Sequence, residues 1–364
     1  MQAQFLPSRT VSLYLARLFL VRTVAIIAAL VLVLQALDLL SESGNILAHP
    51  GNGDAEIWRY ISLRSPQIMA RFLPFSVLLA TIFTLATLNS NSEVTAMKAS
   101  GLSAHQVLAP LIIASLGVAV LSFVFNDRVV SRATATLNQW RKVDYAAIPI
   151  DHGDRVRVWV RDGDDLVEVG QVQGRGNAAL LTDVTVFDRD GGKLLSVLHA
   201  PHARRDGAGW RTDKATRFDV ASGKLSDIGS VIVARGVRPD QFTLSNVDPA
   251  GLSFFALRTA IGDLADAGRP TKALEGSMWH KISEPLSSIL MPLLGAVAGF
   301  GLARSGKLFV RAVIGMMLGF AYFVADNFAL SMGNLGAYPP FLAAWAPFLL
   351  FMLIGEVVLI RTEE

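Results

Sequence analysis

The run that comes closest to a known chemical motif is GLARSGKL, residues 301–308, which fits the phosphate-cradling loop G-x-x-x-x-G-K-[ST] at every position but the last. In such a loop backbone amides hold the phosphates, the lysine reaches them, and a final hydroxyl ligates magnesium. Here Leu308 stands in place of that hydroxyl, and the run follows an apolar helical stretch instead of a strand. It reads as a basic turn between membrane helices, and the chain is expected to hold no nucleotide of its own. The six histidines (49, 105, 152, 199, 202 and 280) show no H-E-x-x-H or comparable ligand spacing. His199 and His202 lie three apart in a β segment, which predicts opposite faces. No metal site is expected. There is no G-x-S-x-G, no paired carboxylate stands out, and the absence of cysteine excludes thiolate chemistry and disulfides. The pattern supports no catalysis and no bound cofactor.

The polar residues that ask for an explanation lie inside apolar runs, where a charge costs at least ~2.5–3.5 kcal/mol. Gln35 and Asp38 fall near one end of the first run, Asp326 and Asn327 inside a later one, and Glu284 and Glu356 near the ends of two others. The terminal glutamates are expected to reach interface water. For Asp326 a cavity-facing or helix-pairing role stands level with a passive one.

The elements that position these residues follow from composition. Of 364 residues 52% are hydrophobic and 17% charged, and residues 127–275 hold 21 of the 33 Lys/Arg and 20 of the 30 Asp/Glu. A polar domain is inserted between two apolar halves. A membrane helix needs about 20 mainly apolar residues, and six stretches qualify: roughly 14–40, 72–89, 106–126, 283–303, 308–331 and 340–360. The first is too long for a signal peptide and is retained. Gly295/Gly299 and Gly315/Gly319 predict close helix packing. The short-loop bias of Arg and Lys places both termini in the cytoplasm and the insert on the outer face. A net charge of +3 with no long basic run excludes nucleic acid as a partner.

The insert alternates as β structure at 155–160, 165–172, 180–187, 193–199, 210–220 and 230–235, punctuated by Asp-Gly and Ser-Gly turns. A sandwich, jelly roll or partly open barrel is predicted, followed by a helix over 253–268. Alternation puts Val156, Val158 and Val160 on one face and Arg157 and Trp159 on the other. The valine face lines either a groove or a closed core. In the loop between the second and third spans, Ser90 and Glu93 have the spacing of a capping box and Gly101 closes a short helix, about 90–101, carrying Val94, Met97 and Lys98. So well-built a connector predicts a docking helix for a cytoplasmic partner.

Three helices, an outer β domain and three more helices resemble the LptF/LptG permease family of lipopolysaccharide export. The resemblance is carried by SEVTAMKASGLS (92–103), MWHKISEPLSSILMPLLGAVAGF (278–300) and GFAYFVADNFALSMGNLGAYPPFLAAWAP (319–347). Met278, Trp279, Lys281, Pro285, Leu286 and the Tyr338-Pro339-Pro340 turn lean toward the LptG branch. It implies an inner-membrane permease paired with an LptF-like subunit and driven by two copies of the ATPase LptB, which uses ATP and magnesium. It also implies delivery of lipopolysaccharide through LptC to LptA, and acyl chains accepted by an open β jelly roll in the periplasm. The domains implied are 1–126 (spans one to three), 127–275 (β domain with helical flanks) and 276–364 (spans four to six). Glu93 falls at the acidic position of the family's coupling helix, so ATPase docking is carried to Glu93, Val94, Met97 and Lys98. Where LptG relatives place lysines near the outer end of the first span, this chain has Gln35, Ser41 and Glu42. Arg64, Arg71, Arg128 and Arg132, with Gln35, Asp38 and Asp326, are the cavity or gate candidates. Two other readings compete: an ion-coupled transporter using Asp326, and a scaffold that transports nothing.

Overall fold

The computed structural model describes residues 6–146, 158–173, 179–207, 209–238, 248–266, 269–299 and 308–363. The chain divides into a helical unit (Met1–Ala147, Pro249–Arg258 and Lys272–Glu364) and a sheet unit (Ile148–Asp248 and Thr259–Thr271).

In the helical unit, α1 (Arg9–Ala48) starts at Ser8, whose side chain accepts from the Val11 amide. At 1.5 Å per residue its 40 residues far exceed the hydrocarbon thickness. It pairs with α2 (Asp54–Ser90), which runs through Pro66 and Pro74. The short α3 (Glu93–Ala99) is followed by α4 (Ala104–Phe125), which opens on a capping box between Ser103 and Gln106. A π-turn at Asn126–Val130 carries α4 without interruption into α5 (Ser131–Lys142). Ahead of the last helices, α6 (Phe254–Asp266) is capped by Asp127, whose carboxylate accepts from the Phe254 amide at 2.6 Å. Three helices complete the chain: α7 (Lys272–Gly299), α8 (Leu308–Asn334) and α9 (Pro340–Glu363).

Among the described residues five helical stretches are long and apolar enough to cross a membrane: α1, α2, α4 with α5, most of α8, and α9 up to Val357. The predicted fourth span corresponds to α7, described to Gly299; residues 300–307, with most of the GLARSGKL run, lie outside the described residues. The packing of α7 and α8 on α2 depends on glycine. A Cβ on Gly295 would come within 2.8 Å of Thr81, and one on Gly319 would collide with Leu78, so the expected close approach occurs at these two positions. The buried seam is polar but small, with Ser76, Thr81 and Thr84 on α2 and Ser283, Ser287 and Ser288 on α7.

The capping-box expectation at Ser90 is not met. Nothing breaks α2 before Ser90, whose hydroxyl bonds back to the Thr87 carbonyl, and α3 is entered through Ser92 in the left-handed region (φ 62°). Gly101, at φ 89°, does close the turn.

The sheet unit is one antiparallel sheet of eight strands: β1 (Val158–Asp162), β2 (Asp165–Gln173), β3 (Leu180–Asp190), β4 (Lys193–Asp206), β5 (Gly209–Asp213), β6 (Ala215–Asp219), β7 (Lys224–Gly229) and β8 (Ile232–Val233). The first five form a meander. β4 then serves two neighbours: Ser196–His199 pairs with β6, and His202–Asp206 pairs with β5. The predicted strand at 210–220 therefore divides, at Lys214 (φ 52°), and β4 is far longer than 193–199 because Pro201 does not end it.

At the level of that division three strands step three residues between buried positions instead of two: Val169 to Val172, Leu181 to Val184, and Ala200 to Ala203. Gly170 permits the step, since a Cβ there would lie 2.8 Å from the Cβ of Asp183, itself at φ 56°. The slip corrects one expectation: His199 and His202 are both exposed, because the extra residue between Ala200 and Ala203 returns the alternation to the same side. The core of the unit is Val158, Val167, Val169, Leu181, Val184, Val186, Leu198 and their neighbours around Trp210, whose indole N–H donates to the Val237 carbonyl at 2.9 Å.

Candidate functional site

The helical unit contains a cavity of about 800 Å³ between α1 and α2 on one side and α7 and α8 on the other, with the π-turn and α5 closing one end. Leu34, Leu37, Ile68, Phe72 and Phe75 give it an apolar wall, while Arg64, Arg71, Lys281, Asp38, Glu284, His280 and Asp326 supply charge or polarity. Of the residues singled out in the sequence, Asp38, Arg64, Arg71 and Asp326 meet here. Gln35 does not line it. It is buried against α2, accepting from the Ser65 hydroxyl at 3.1 Å, and its amide nitrogen has no partner among the described residues. Arg128 and Arg132 lie exposed on the π-turn and α5 and are absent from the lining.

Asp38 sits at the centre of a network that the sequence does not reveal. Its carboxylate accepts from the Tyr60 hydroxyl at 2.6 Å and from the forked guanidinium of Arg64 at 2.8–3.1 Å. Arg64 also donates to Gln67 at 2.9 Å, and Arg141 donates to the Tyr60 hydroxyl at 3.1 Å. Glu42 accepts from the Tyr145 hydroxyl and lies 3.7 Å from Arg141. Burial, with the Glu42 carboxylate beside it, pushes the Tyr145 phenol above its ordinary range. Glu42 is an acid already engaged within the chain. Arg64 is likewise held by Asp38. Arg71 remains on the rim, its guanidinium 6.0 Å from the Phe323 ring.

On the opposite wall His280 Nε2 lies 2.8 Å from Asp326, joining α7 to α8, with Glu284 4.0 Å from the other ring nitrogen. The Asp326 side chain is only 9% exposed, and its second oxygen has no partner among the described residues. Asp326 thus faces the cavity and pairs two helices at once. Its partner His280, which shows no ligand spacing in sequence, lies in the MWHKISEP run (278–285).

At the α3 end of the unit, Val94 is buried in the helical core and Met97 packs against it, so the short helix is seated by its apolar face. Lys98 is exposed. Glu93 accepts from the Tyr14 hydroxyl of α1 at 3.1 Å and from the Asn91 amide at 3.3 Å. Nearby, His105 of α4 lies 3.1 Å from Glu356 of α9.

In the sheet unit Val158 is 6% exposed and Val160 packs against the same core, with Val156 outside the described residues. The opposite face is apolar as well. Cross-strand partners run Leu166–Phe187–Val197–Phe218–Leu225 across five strands, and Trp159, 51% exposed, stacks on Phe187 with ring centroids 5.5 Å apart. Among the described residues no group of three His, Cys, Asp or Glu is arranged for a metal.

Long apolar helices around a charge-lined cavity, together with an inserted antiparallel domain, define a helical membrane protein with an extramembrane sheet unit. The chain belongs to the family of the lipopolysaccharide export system permease LptF/LptG, whose profile matches residues 13–361. It is similar to the lipopolysaccharide export system permease protein LptG of Escherichia coli K12, 26% identical over 310 residues, covering 83% of this chain and 84% of that protein. The LptG of Haemophilus influenzae is 24% identical over 325 residues, covering 86% of this chain and 89% of the relative. The chain is therefore a membrane-embedded permease of lipopolysaccharide export, as the three quoted segments implied.

Proposed function

We propose that this chain is the LptG-type half of a heterodimeric permease, paired with an LptF-like subunit and driven by two LptB ATPase subunits docked at α3. The pair extracts lipopolysaccharide from the outer leaflet of the inner membrane and hands it to LptC and then LptA. In this reading α7 is the fourth of six spans, both termini are cytoplasmic, and the sheet unit is a jelly roll in the periplasm. ATP and magnesium belong to the ATPase, and this chain binds no cofactor.

The observation that carries the reading is the cavity. Its apolar wall of leucines and phenylalanines suits acyl chains, and Arg71 and Lys281 suit the phosphates of a lipid headgroup. A volume of about 800 Å³ exceeds what a small ion requires. Closure of the ATPase pair shifts α3, the two permease subunits move against each other, and the shared cavity narrows behind its cargo.

Docking is tested by replacing Glu93 with Ala or Lys. Co-purification of the ATPase is expected to fall while the chain stays folded, because the hydrogen bonds of Glu93 among the described residues are exposed. Lys98→Glu reverses the charge on the exposed side of the same helix and is expected to weaken docking less. Full ATPase recovery with Glu93→Lys removes α3 as the seat.

A further inference from the structure

The assignment of α3 to the ATPase leaves one contact without a role. The hydroxyl of Tyr14, near the start of α1, donates to Glu93 at 3.1 Å from one carboxylate oxygen and 3.4 Å from the other, across 79 residues of sequence. Tyr14 is exposed and packs no core, so the bond is not a by-product of burial. Its neighbour Leu15 is fully buried, which fixes the backbone from which Tyr14 extends. On the other side Val94 is buried next to Glu93, which fixes the backbone of the acceptor. The two side chains thus bridge between rigid mounts.

We propose that Tyr14 is a positioning residue that holds the Glu93 carboxylate for the ATPase and passes the displacement of α3 to α1. The inference rests on the reading of α3 as the ATPase seat. A carboxylate has about four lone-pair sites, and Tyr14 and Asn91 occupy only part of them. A cationic side chain of the ATPase therefore binds Glu93 without displacing Tyr14. A pull on α3 reaches α1 through this charge-assisted bond. α1 lines the cavity through Leu34, Leu37 and Asp38, so the linkage runs from the ATPase seat to the cargo wall along a single helix.

The test uses the complete transporter in proteoliposomes, with lipopolysaccharide release and ATP hydrolysis measured together. Tyr14→Phe keeps the ring and loses the donor. It is expected to lower lipid released per ATP about three- to tenfold, the scale of one lost hydrogen bond, while ATPase co-purification changes by less than about twofold. Tyr14→Arg, which restores a donor of similar reach to the carboxylate, is expected to recover the ratio. An unchanged ratio in Tyr14→Phe overturns the proposal. So does a loss that Tyr14→Arg fails to rescue, since the ring and not the bond then matters. If Glu93→Lys leaves ATPase recovery intact, the docking reading itself has failed, and that result is read by pull-down, independently of the Tyr14 ratio.

Discussion

The two ends of α1 are held in different ways. At the α5 end Asp38 and Glu42 enter a network with Tyr60, Arg64, Arg141 and Tyr145 that ties α1 to α2 and to the segment after α5. Arg59 lies 4.8 Å over the Trp140 ring beside it. At the α3 end Leu15 and Phe19 are packed into the helical core, and the polar ties described there are the Tyr14–Glu93 bond and the Arg22 guanidinium on the Phe83 carbonyl at 2.7 Å. Partly buried charged bonds in a shared network are costly to break one at a time, because each deletion strands its partners. A bond outside such a network strands fewer partners when it is removed. The comparison teaches that polar bonds tie α1 to α2 and α5 through a shared network at its far end, and through separate single bonds where it meets α3 and α2.

The largest expected effect comes from breaking the rigid end. Arg64→Ala leaves Asp38 without its guanidinium, at a cost of about 1.5–3 kcal/mol for a hydrogen bond to a charged group. Thermal unfolding in detergent reads this as a fall in Tm. In Asp38→Ala with Arg64→Ala the two losses are expected to be less than additive by about 0.5–3 kcal/mol, since neither charge is then stranded. Additive losses would dissolve the network into independent contacts.

Close to this in size is the seam that carries α2. Gly295→Val forces a branched side chain onto Thr81, an overpacking that costs about 1–3 kcal/mol. Ser287→Ala, on the same buried seam, removes one hydroxyl already bonded to the Glu284 carbonyl and is expected to cost about 1 kcal/mol or less.

A smaller effect is expected at Asp326→Asn. The amide keeps an acceptor for His280 and the shape of the cavity wall, so ATP-driven export is expected to persist. Loss of export with normal assembly and normal ATP hydrolysis would favour a titrating role for this carboxylate, as the ion-coupled reading requires. The smallest effects are expected from probes in the sheet. A photo-crosslinker at Val160 reports on the buried face and one at Trp159 on the apolar row. ATP-dependent capture of lipopolysaccharide at Val160 alone identifies the valine face as a groove, and capture at Trp159 alone moves the path to the opposite face.

The helices and the insert were legible because hydropathy and period depend on neighbours in sequence. The turns at Gly163 and Gly223 were legible too, both adopting positive φ. What lay hidden depends on residues far apart. Asp38 and Arg64 are 26 residues apart, and His280 and Asp326 are 46 apart, so a cavity-facing or helix-pairing role for Asp326 could be weighed from sequence but its partner could not be named. The slip at Gly170, Asp183 and Pro201 was invisible because it arises from three strands deforming together, and strict alternation misplaced His202 as a result. Ser90 was misread as a cap because S-x-x-E spacing carries no information about where the preceding helix stops.

The central claim is that this chain converts nucleotide-driven movement at α3 into movement of lipid through its cavity. The most direct measurement is release of lipopolysaccharide from proteoliposomes containing this chain, an LptF-like partner and the ATPase. The account predicts release to a periplasmic acceptor only when ATP is supplied, and loss of that release with Glu93→Lys. Release that needs only an ion gradient, or no release with a fully assembled and hydrolysing complex, would contradict it.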